Sequence, residues 1–526
     1  MLTPYSLLWK AARPLLRRHK RLRQGFEQRL VPSDWPGAPI SQSDLPSNLP
    51  TANSIAQNYF DLWIQAASGG ESYLAWELLR VLSRDNPGLR VLCTTCTSQG
   101  LEILRQAKAA LETQRQAKAA LETQRQAKAA PETQRQAQNA PEPAPLAITL
   151  NYLPLDEPAI MKRAVEQVFG PQPSNQNIPA TDRTENSAAS YSHSGGRLLI
   201  LLETEIWPGL LAACRAAGVR VLILNARMTE GSYRAYRLLA PWLRPLAPDA
   251  ILATGEDDLK RFCQIFDSQD GQNKNTGENG HYAPLADEAP VGSLKVGQKQ
   301  TALRDLMPNI KFDRLLLPLL APSPCSLHQD TPVLVLGSVR EEEEADLARA
   351  VESILRKMPQ LALVIAPRHM HRVQAWSEQL AAAGLDFCLR SKLTDNNDFS
   401  QIRFLPGRIY LWDVFGELGK LYSQADAVFV GGSLAPLGGQ NFLEPLAYGL
   451  VPCIGPSWSN FSWVGRELFD LGLARQVQSA EELVPALLEL LTAPRSRDEV
   501  LNDFRRYLKP RQGGTLKAAD LIQSYL

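Results

Sequence analysis

The sequence predicts an α/β protein built from two parallel-sheet domains, on three observations. Short apolar runs alternate with helical patterns in both halves of the chain. The residues able to do chemistry gather just beyond the ends of those runs, where parallel sheets bind their ligands. At 526 residues, the chain is long enough for two domains to bury separate cores.

The start, "MLTPYSLLWKAARPLLRRHKRLRQGFEQRL", is an apolar patch followed by a basic cluster. Leu7, Leu8, Trp9, Leu15 and Leu16 can share one helix surface beside Lys10, Arg17 and Arg18. This pattern suits a helix lying at an anionic membrane surface, and residues 1–30 are expected to form that segment. No small-residue cleavage site follows, and no apolar run is long enough to span a bilayer.

Residues 31–300 should form the first domain. "WIQAASGGESYLAWELLR" reads as a strand, a glycine turn and a helix beginning near Glu71. Glycines there admit a ligand to the backbone, although a carboxylate at a helix start can serve simply as a dipole partner. "CTTC" at 93–96 has redox-motif spacing, but no second pair accompanies it and its inner residues are unlike a thioredoxin site. "LLETEIWPGLLAACRAAG" places Glu203 and Glu205 beyond a strand of Leu and Ile. The pattern leaves open which of the two faces a ligand and which caps the next helix. "VRVLILN" then delivers Asn225 and Arg227, and "DAILATG" is a further strand.

Three polar stretches interrupt this domain. "QAKAALETQR" recurs in tandem over 106–135, a helix-favouring unit with little apolar surface, so 102–146 is expected to be a solvated, dispensable insertion. Stretches 170–196 and 268–290 are expected to be insertions as well.

The second domain, 301–526, repeats the theme in "PVLVLGSV", "LALVIAPRH", "RIYLWD", "AVFVGGS" and "VPCIGP". Glutamates 341–344 read as mostly a solvated face. Arg368 stands at a strand end, where a guanidinium suits phosphate. His369 and His371 have no acidic or thiol ligands nearby in sequence, so no metal is expected. Net charge is +1, which argues against a general nucleic-acid binder, and seven scattered cysteines suit a reducing compartment.

Taken in order, these segments resemble the 3-deoxy-D-manno-octulosonate (Kdo) transferases, membrane-associated enzymes that glycosylate the lipid A precursor. "SGGES" resembles that family's S-x-G-E segment, "ETEIWP" its E-T-E-x-W-P and "NARMTEGSY" its N-A-R-x-x-x-x-S. "VGSLKV" is similar to its G-N-L-K segment, "APRH" to its P-R-H and "DVFGELGKLY" to its G-E-L. "GGSLAPLGGQNFLEPLAYG" resembles the signature G-G-S-…-G-G-H-N-x-L-E-P-A.

The resemblance implies two Rossmann-like domains facing across a cleft, the B-type glycosyltransferase architecture, with the low-complexity insertions in the first. It implies donor CMP-Kdo, a lipid A precursor as acceptor, no cofactor or metal, and a place on the cytoplasmic face of the inner membrane. Glu71 matches the general base, while Glu203 or Glu205, together with Lys295, matches residues supporting transition-state charge. Pro367, Arg368, Phe415, Gly416, Glu417, Asn441, Phe442, Leu443 and Glu444 match the CMP contacts. The sequence departs from the family at Gln65 and Gln440, where histidines are common, and at Ser293, where asparagine is. Glutamine keeps donor and acceptor capacity but does not titrate. Rival readings are another nucleotide-sugar transferase or epimerase of this architecture, or a membrane-associated scaffold with a decayed site.

Overall fold

A computed structural model describes residues 3–18, 25–32, 35, 59–86, 88–127, 146–170, 197–267, 302–315, 331–393 and 399–526. The chain divides into two compact units, Met1–Asp313 with Gly513–Leu526, and Arg314–Gln512.

The first unit holds seven parallel strands: β1 Leu62–Ala66, β2 Arg90–Thr95, β3 Ala147–Tyr152, β4 Leu198–Leu202, β5 Arg220–Ala226, β6 Ala250–Ala253 and β7 Leu303–Leu306. Their order is β3-β2-β1-β4-β5-β6-β7. The central strands are mostly apolar because helices cover both faces of the sheet. Along β1, Trp63 enters one core while Leu62, Ile64 and Ala66 enter the other. The strand order reverses between β1 and β4, paired through Leu62 and Leu198, and this is where a doubly wound sheet opens a crevice at its carboxyl edge.

The second unit repeats the plan with β8 Val333–Val339, β9 Ala362–Pro367, β10 Phe387–Leu389, β11 Ile409–Leu411, β12 Ala427–Val430, β13 Pro452–Ile454 and β14 Arg475–Gln476. The order is β10-β11-β9-β8-β12-β13-β14, again all parallel, with the reversal between β8 and β12. Gly337 and Ser338 lie within β8. Ser338 takes φ +56° at a register shift against β9, a bulge that bends the strand end.

The division between units differs from the expected boundary at 300/301. β7 completes the first sheet, and the chain leaves that unit only after Asp313. It also returns there: Asp313 accepts from the Gly513 N–H at 2.8 Å and from the Thr515 N–H and hydroxyl, both at 2.6 Å. The final helix, Gly514–Tyr525, then buries Ala518, Ala519 and Ile522 against the first sheet.

The N-terminal basic segment forms a helix, Thr3–Arg18, docked on the first unit. The Tyr5 hydroxyl donates to Asp156 Oδ2 at 2.6 Å, and Arg13 pairs with buried Glu157. Trp9 and Leu16, expected at the membrane, pack against the protein core, whereas Leu7, Leu8 and Leu15 are exposed.

Over 106–127 the repeat is helical as its composition favours, continuing a helix that runs from Ser98 to Ala127; the rest of it lies outside the described residues. Its first unit is not merely solvated, since Ala107 is buried and Leu111 packs against the core. Leu121, one unit later, is exposed. Deleting 113–140 should therefore leave the melting temperature within about 2 °C of wild type. A deletion beginning at 106 should lower it measurably, because Ala107 and Leu111 are lost with it. Thermal unfolding of the two deletions checks this. Stretches 171–196 and 268–301 lie outside the described residues.

Candidate active site

At the reversal of the first sheet, β1 leads through Ser68 into the helix Gly69–Asp85. Ser68 and Glu71 form a capping box in which Glu71 Oε2 accepts from the Ser68 N–H at 2.6 Å and Ser68 Oγ accepts from the Glu71 N–H at 3.4 Å. The carboxylate is thus a helix cap, as its position alone allowed, and also part of a charged cluster. Burial raises its pKa, the nearby Glu203 carboxylate raises it further, and the Ser68 bonds and Lys311 oppose both.

Glu203 follows β4 directly, in the left-handed region at φ +59°. That conformation is costly for a residue with a side chain and marks a position the surroundings hold in place. Its carboxylate receives Lys311 Nζ at 2.5 Å and faces Arg227 at 3.9 Å. Asn225, also at positive φ, accepts the Ile310 N–H on Oδ1 at 2.9 Å and so fixes the segment that carries Lys311.

Glu205 turns the other way. It is buried, with Oε2 accepting from Trp207 Nε1 at 2.5 Å and Gln65 Nε2 at 3.4 Å. Gln65 Oε1 accepts in turn from the Thr94 hydroxyl. Burial, with Glu71 nearby, pushes the Glu205 pKa up to about 8. The two glutamates therefore separate by environment: Glu203 is ion-paired with Lys311 and Arg227, and Glu205 is the buried carboxyl whose pKa is raised.

This makes stability pH-dependent. The folded state holds a Glu205 proton that the unfolded chain releases near ordinary carboxylate pKa values. The contribution is complete at acidic pH and is lost as pH climbs towards about 8. Glu205→Gln, which mimics the protonated acid, should match wild type near pH 5. It should gain on wild type towards pH 8 by at most about 1.4 kcal/mol per pH unit in denaturant unfolding.

In the second unit the glycine loop after β12 meets the end of β8. A Cβ on Gly431 would lie 2.6 Å from the Ser338 carbonyl oxygen, so only glycine allows the approach. Gly438 and Gly439 follow at φ +84° and +80°. The loop's N–H groups converge on one carboxylate, that of Glu343, which accepts from Gly432 at 2.5 Å, Ser433 at 2.8 Å and Leu434 at 2.7 Å. Glu343 and Glu344 are buried, the latter paired with Arg372, which corrects their reading as a solvated face.

Of the expected nucleotide contacts, Arg368 is half-buried at the end of β9 beside Pro367, its N–H bonded to the Val339 carbonyl at 2.8 Å. Burial first, then Arg340, Arg368 and His371, lower the pKa of His369, so four basic side chains gather at this edge. Asn441 is exposed, and burial raises the pKa of Glu444, which Arg314 opposes. Phe415 is 72% exposed beside Gly416.

Three other positions differ from expectation. Phe442 and Leu443 are buried, with the Phe442 ring against Phe461 and Phe469, so their side chains are core. Glu417 forms a two-bond ion pair with buried Arg390, at 2.9 and 3.2 Å. Its carboxylate anchors the 415–417 turn. Lys295 lies outside the described residues, and the lysine brought to Glu203 is Lys311.

The family model described as 3-deoxy-D-manno-octulosonic-acid transferase (kdotransferase) matches residues 19–175 and 169–277. A 3-deoxy-D-manno-octulosonic acid transferase of Bordetella pertussis is 29% identical over 62% of this chain and 69% of its own. That of Haemophilus influenzae is 26% identical over 88% of this chain and 87% of its own. The chain belongs to the Kdo transferase family. Among solved structures, the C-terminal CMP-Kdo binding domain of WaaA from Acinetobacter baumannii is 25% identical, covering 38% of this chain and 96% of that one, with a TM-score of 0.31.

Within the family's motifs, Asn309, Ile310 and Lys311 fit three positions of G-N-L-K with isoleucine for leucine. This signal was in the sequence, but "VGSLKV", with serine at the asparagine, stood nearby and matched leucine and glycine instead. Gln65, at a family histidine, is committed to the buried network around Glu205. Cys93 and Cys96 are free, and burial pushes each pKa up to about 12, which disfavours the thiolate that a redox site needs. Among the described residues, no group of His, Cys, Asp or Glu is arranged to hold a metal ion.

Proposed function

We propose that this Kdo transferase is an inverting glycosyltransferase moving Kdo from CMP-Kdo onto a lipid A precursor. The observation that carries the reading is the cluster of Glu71, Glu203 and Lys311 at the reversal of the first sheet. Glu71 takes the proton of the acceptor hydroxyl as that oxygen attacks the anomeric carbon of Kdo. The bond from that carbon to the phosphate oxygen breaks, and CMP leaves with the electron pair. Lys311 and Arg227 hold Glu203 as an anion, and the anion raises the proton affinity of Glu71, as a base requires. Glu205 fixes Trp207 and Gln65 and takes no proton.

In the second unit, Arg368 and Arg340 receive the donor phosphate, while Asn441 and Glu444 bond the nucleoside. The step needs no cofactor or metal, because fixed cations hold the leaving phosphate. We place the enzyme peripherally on the cytoplasmic face of the inner membrane through the helix Thr3–Arg18, whose leucines and basic residues suit an anionic bilayer. Among the described residues, no helix is long and apolar enough to cross a membrane.

Incubation with CMP-Kdo and a tetraacylated lipid A precursor, followed by mass analysis, tests the reading. Acceptor carrying one or more Kdo residues and release of CMP are expected. An altered sugar nucleotide with unmodified acceptor would favour an epimerase, and absence of CMP binding would favour a scaffold.

A further inference from the structure

The helix Glu230–Leu243 shows to solvent what a globular surface ordinarily hides. Leu238 is 78% exposed and Trp242 61%, with Leu239 and Pro241 also exposed. Positions 234, 238, 241 and 242 follow helical spacing, so Arg234, Leu238, Pro241 and Trp242 share one stripe. The opposite side is anchored, since Ala240 and Leu243 are buried and Tyr233 and Tyr236 pack on the core.

The helix has a neighbour of the same character. Tyr236 lies beside Asp156, and Asp156 accepts the hydroxyl of Tyr5 from the helix Thr3–Arg18. Trp9 of that helix packs on the same core, while its Leu7, Leu8 and Leu15 are exposed. The two helices carry six cations, of which Arg13, Arg17 and Arg234 pair with Glu157, Glu27 and Glu230, while Lys10, Arg18 and Arg237 are exposed. On a chain of net charge +1 this is a local concentration of positive charge. Exposed leucines and a tryptophan among arginines are complementary to an anionic bilayer, whose headgroups attract the cations and whose interface accepts the apolar stripe.

We propose that Glu230–Leu243 is a second membrane-docking element, which with Thr3–Arg18 seats the first unit on an anionic lipid surface. This rests on the peripheral-membrane reading above and adds a site that the N-terminal pattern did not contain. It also gives the docking a purpose. The helix begins three residues after Arg227, whose guanidinium faces Glu203. A bilayer under this helix holds the acyl chains of a lipid acceptor against the same unit that carries the carboxylate cluster receiving its hydroxyl.

Vesicle co-sedimentation tests the proposal, with phosphatidylglycerol-containing and pure phosphatidylcholine vesicles, wild type, Leu238→Ser/Trp242→Ser, and a chain lacking residues 1–24. Wild type should bind the anionic vesicles and lose them as salt rises. The double variant should bind them about tenfold or more weakly, a loss of the order expected for withdrawing two large apolar side chains. Its melting temperature should be unchanged, because neither side chain is part of the core. Brominated lipid should quench wild type more than Trp242→Phe. Equal vesicle binding by wild type and the double variant overturns the second element and leaves the first standing if the truncated chain binds weakly. Failure of wild type to bind any vesicle overturns both. Binding that is equally strong on phosphatidylcholine overturns the role given to the cations.

Discussion

Glu71→Gln should reduce Kdo transfer by about a hundredfold to ten-thousandfold, the usual contribution of a positioned general base. A sugar hydroxyl is a weak nucleophile until its proton leaves, so the loss falls on kcat. Glutamine is close in size and can still accept from the Ser68 N–H, so the capping box and the helix it starts should survive. Affinity for CMP should be nearly unchanged, since the nucleotide is assigned to the other unit. Arg368→Ala should do the converse, weakening CMP binding by roughly tenfold or more with an intact base, as loss of a charge-assisted contact does. Single-turnover transfer and calorimetric CMP titration of both variants separate the two effects. Near wild-type turnover in Glu71→Gln would sink the mechanism. The acidic limb of the wild-type pH profile provides an independent check. Burial and Glu203 raise the Glu71 pKa, so activity should fall on acidification at a pH above the ordinary carboxylate range.

The fold was legible because its innermost strands, β4 and β5 in the first sheet and β8 and β12 in the second, are dominated by apolar residues. β4, a run of leucine and isoleucine, has no alternative but the middle of a covered sheet. The candidate site was legible where a charged residue follows closely on a strand, as Glu203 does directly after β4 and Glu71 does at the start of the helix after β1. Pattern did not reveal pairings made at long range. Nothing local says that Glu205 turns to Trp207 and Gln65 while Glu203 turns to Lys311, because the choice depends on the backbone at Glu203 and on a segment 108 residues away. Glu343 was missed for the same reason. Within a run of four glutamates it resembles its neighbours, and only the folded loop shows that it receives three backbone N–H groups from the glycine loop. Phe442 and Leu443 show a role the motif alone did not separate, since a binding motif also has to be attached to its core and their buried side chains do the attaching.

Replacing Glu343 by glutamine should loosen the donor-side glycine loop more than any other single change in the second unit. The wild-type carboxylate, 1% exposed, accepts on Oε1 from Ser433 and Leu434 and on Oε2 from Gly432 and, at 3.3 Å, from Arg340. Glutamine keeps one acceptor oxygen and turns an NH₂ group towards N–H donors on the other side, leaving a buried donor without an acceptor and another facing repulsion. Each such loss costs about 1–3 kcal/mol, more where the acceptor was charged, so a total of roughly 3–5 kcal/mol is expected for the loop. Hydrogen exchange of the Gly432 to Leu434 amides measures it directly, and protection should fall by about a hundredfold or more at that energy. The same loop precedes Asn441 and Glu444, and Gly431 lies against the end of β8, so CMP affinity should weaken by about tenfold as the loop samples other conformations. Glu343→Asp keeps the charge at a shorter reach and should fall between wild type and Glu343→Gln in both measurements. Unchanged amide protection in Glu343→Gln would show that the loop holds itself, through its glycine geometry and the Gln440 to Gly431 backbone bond, without the carboxylate.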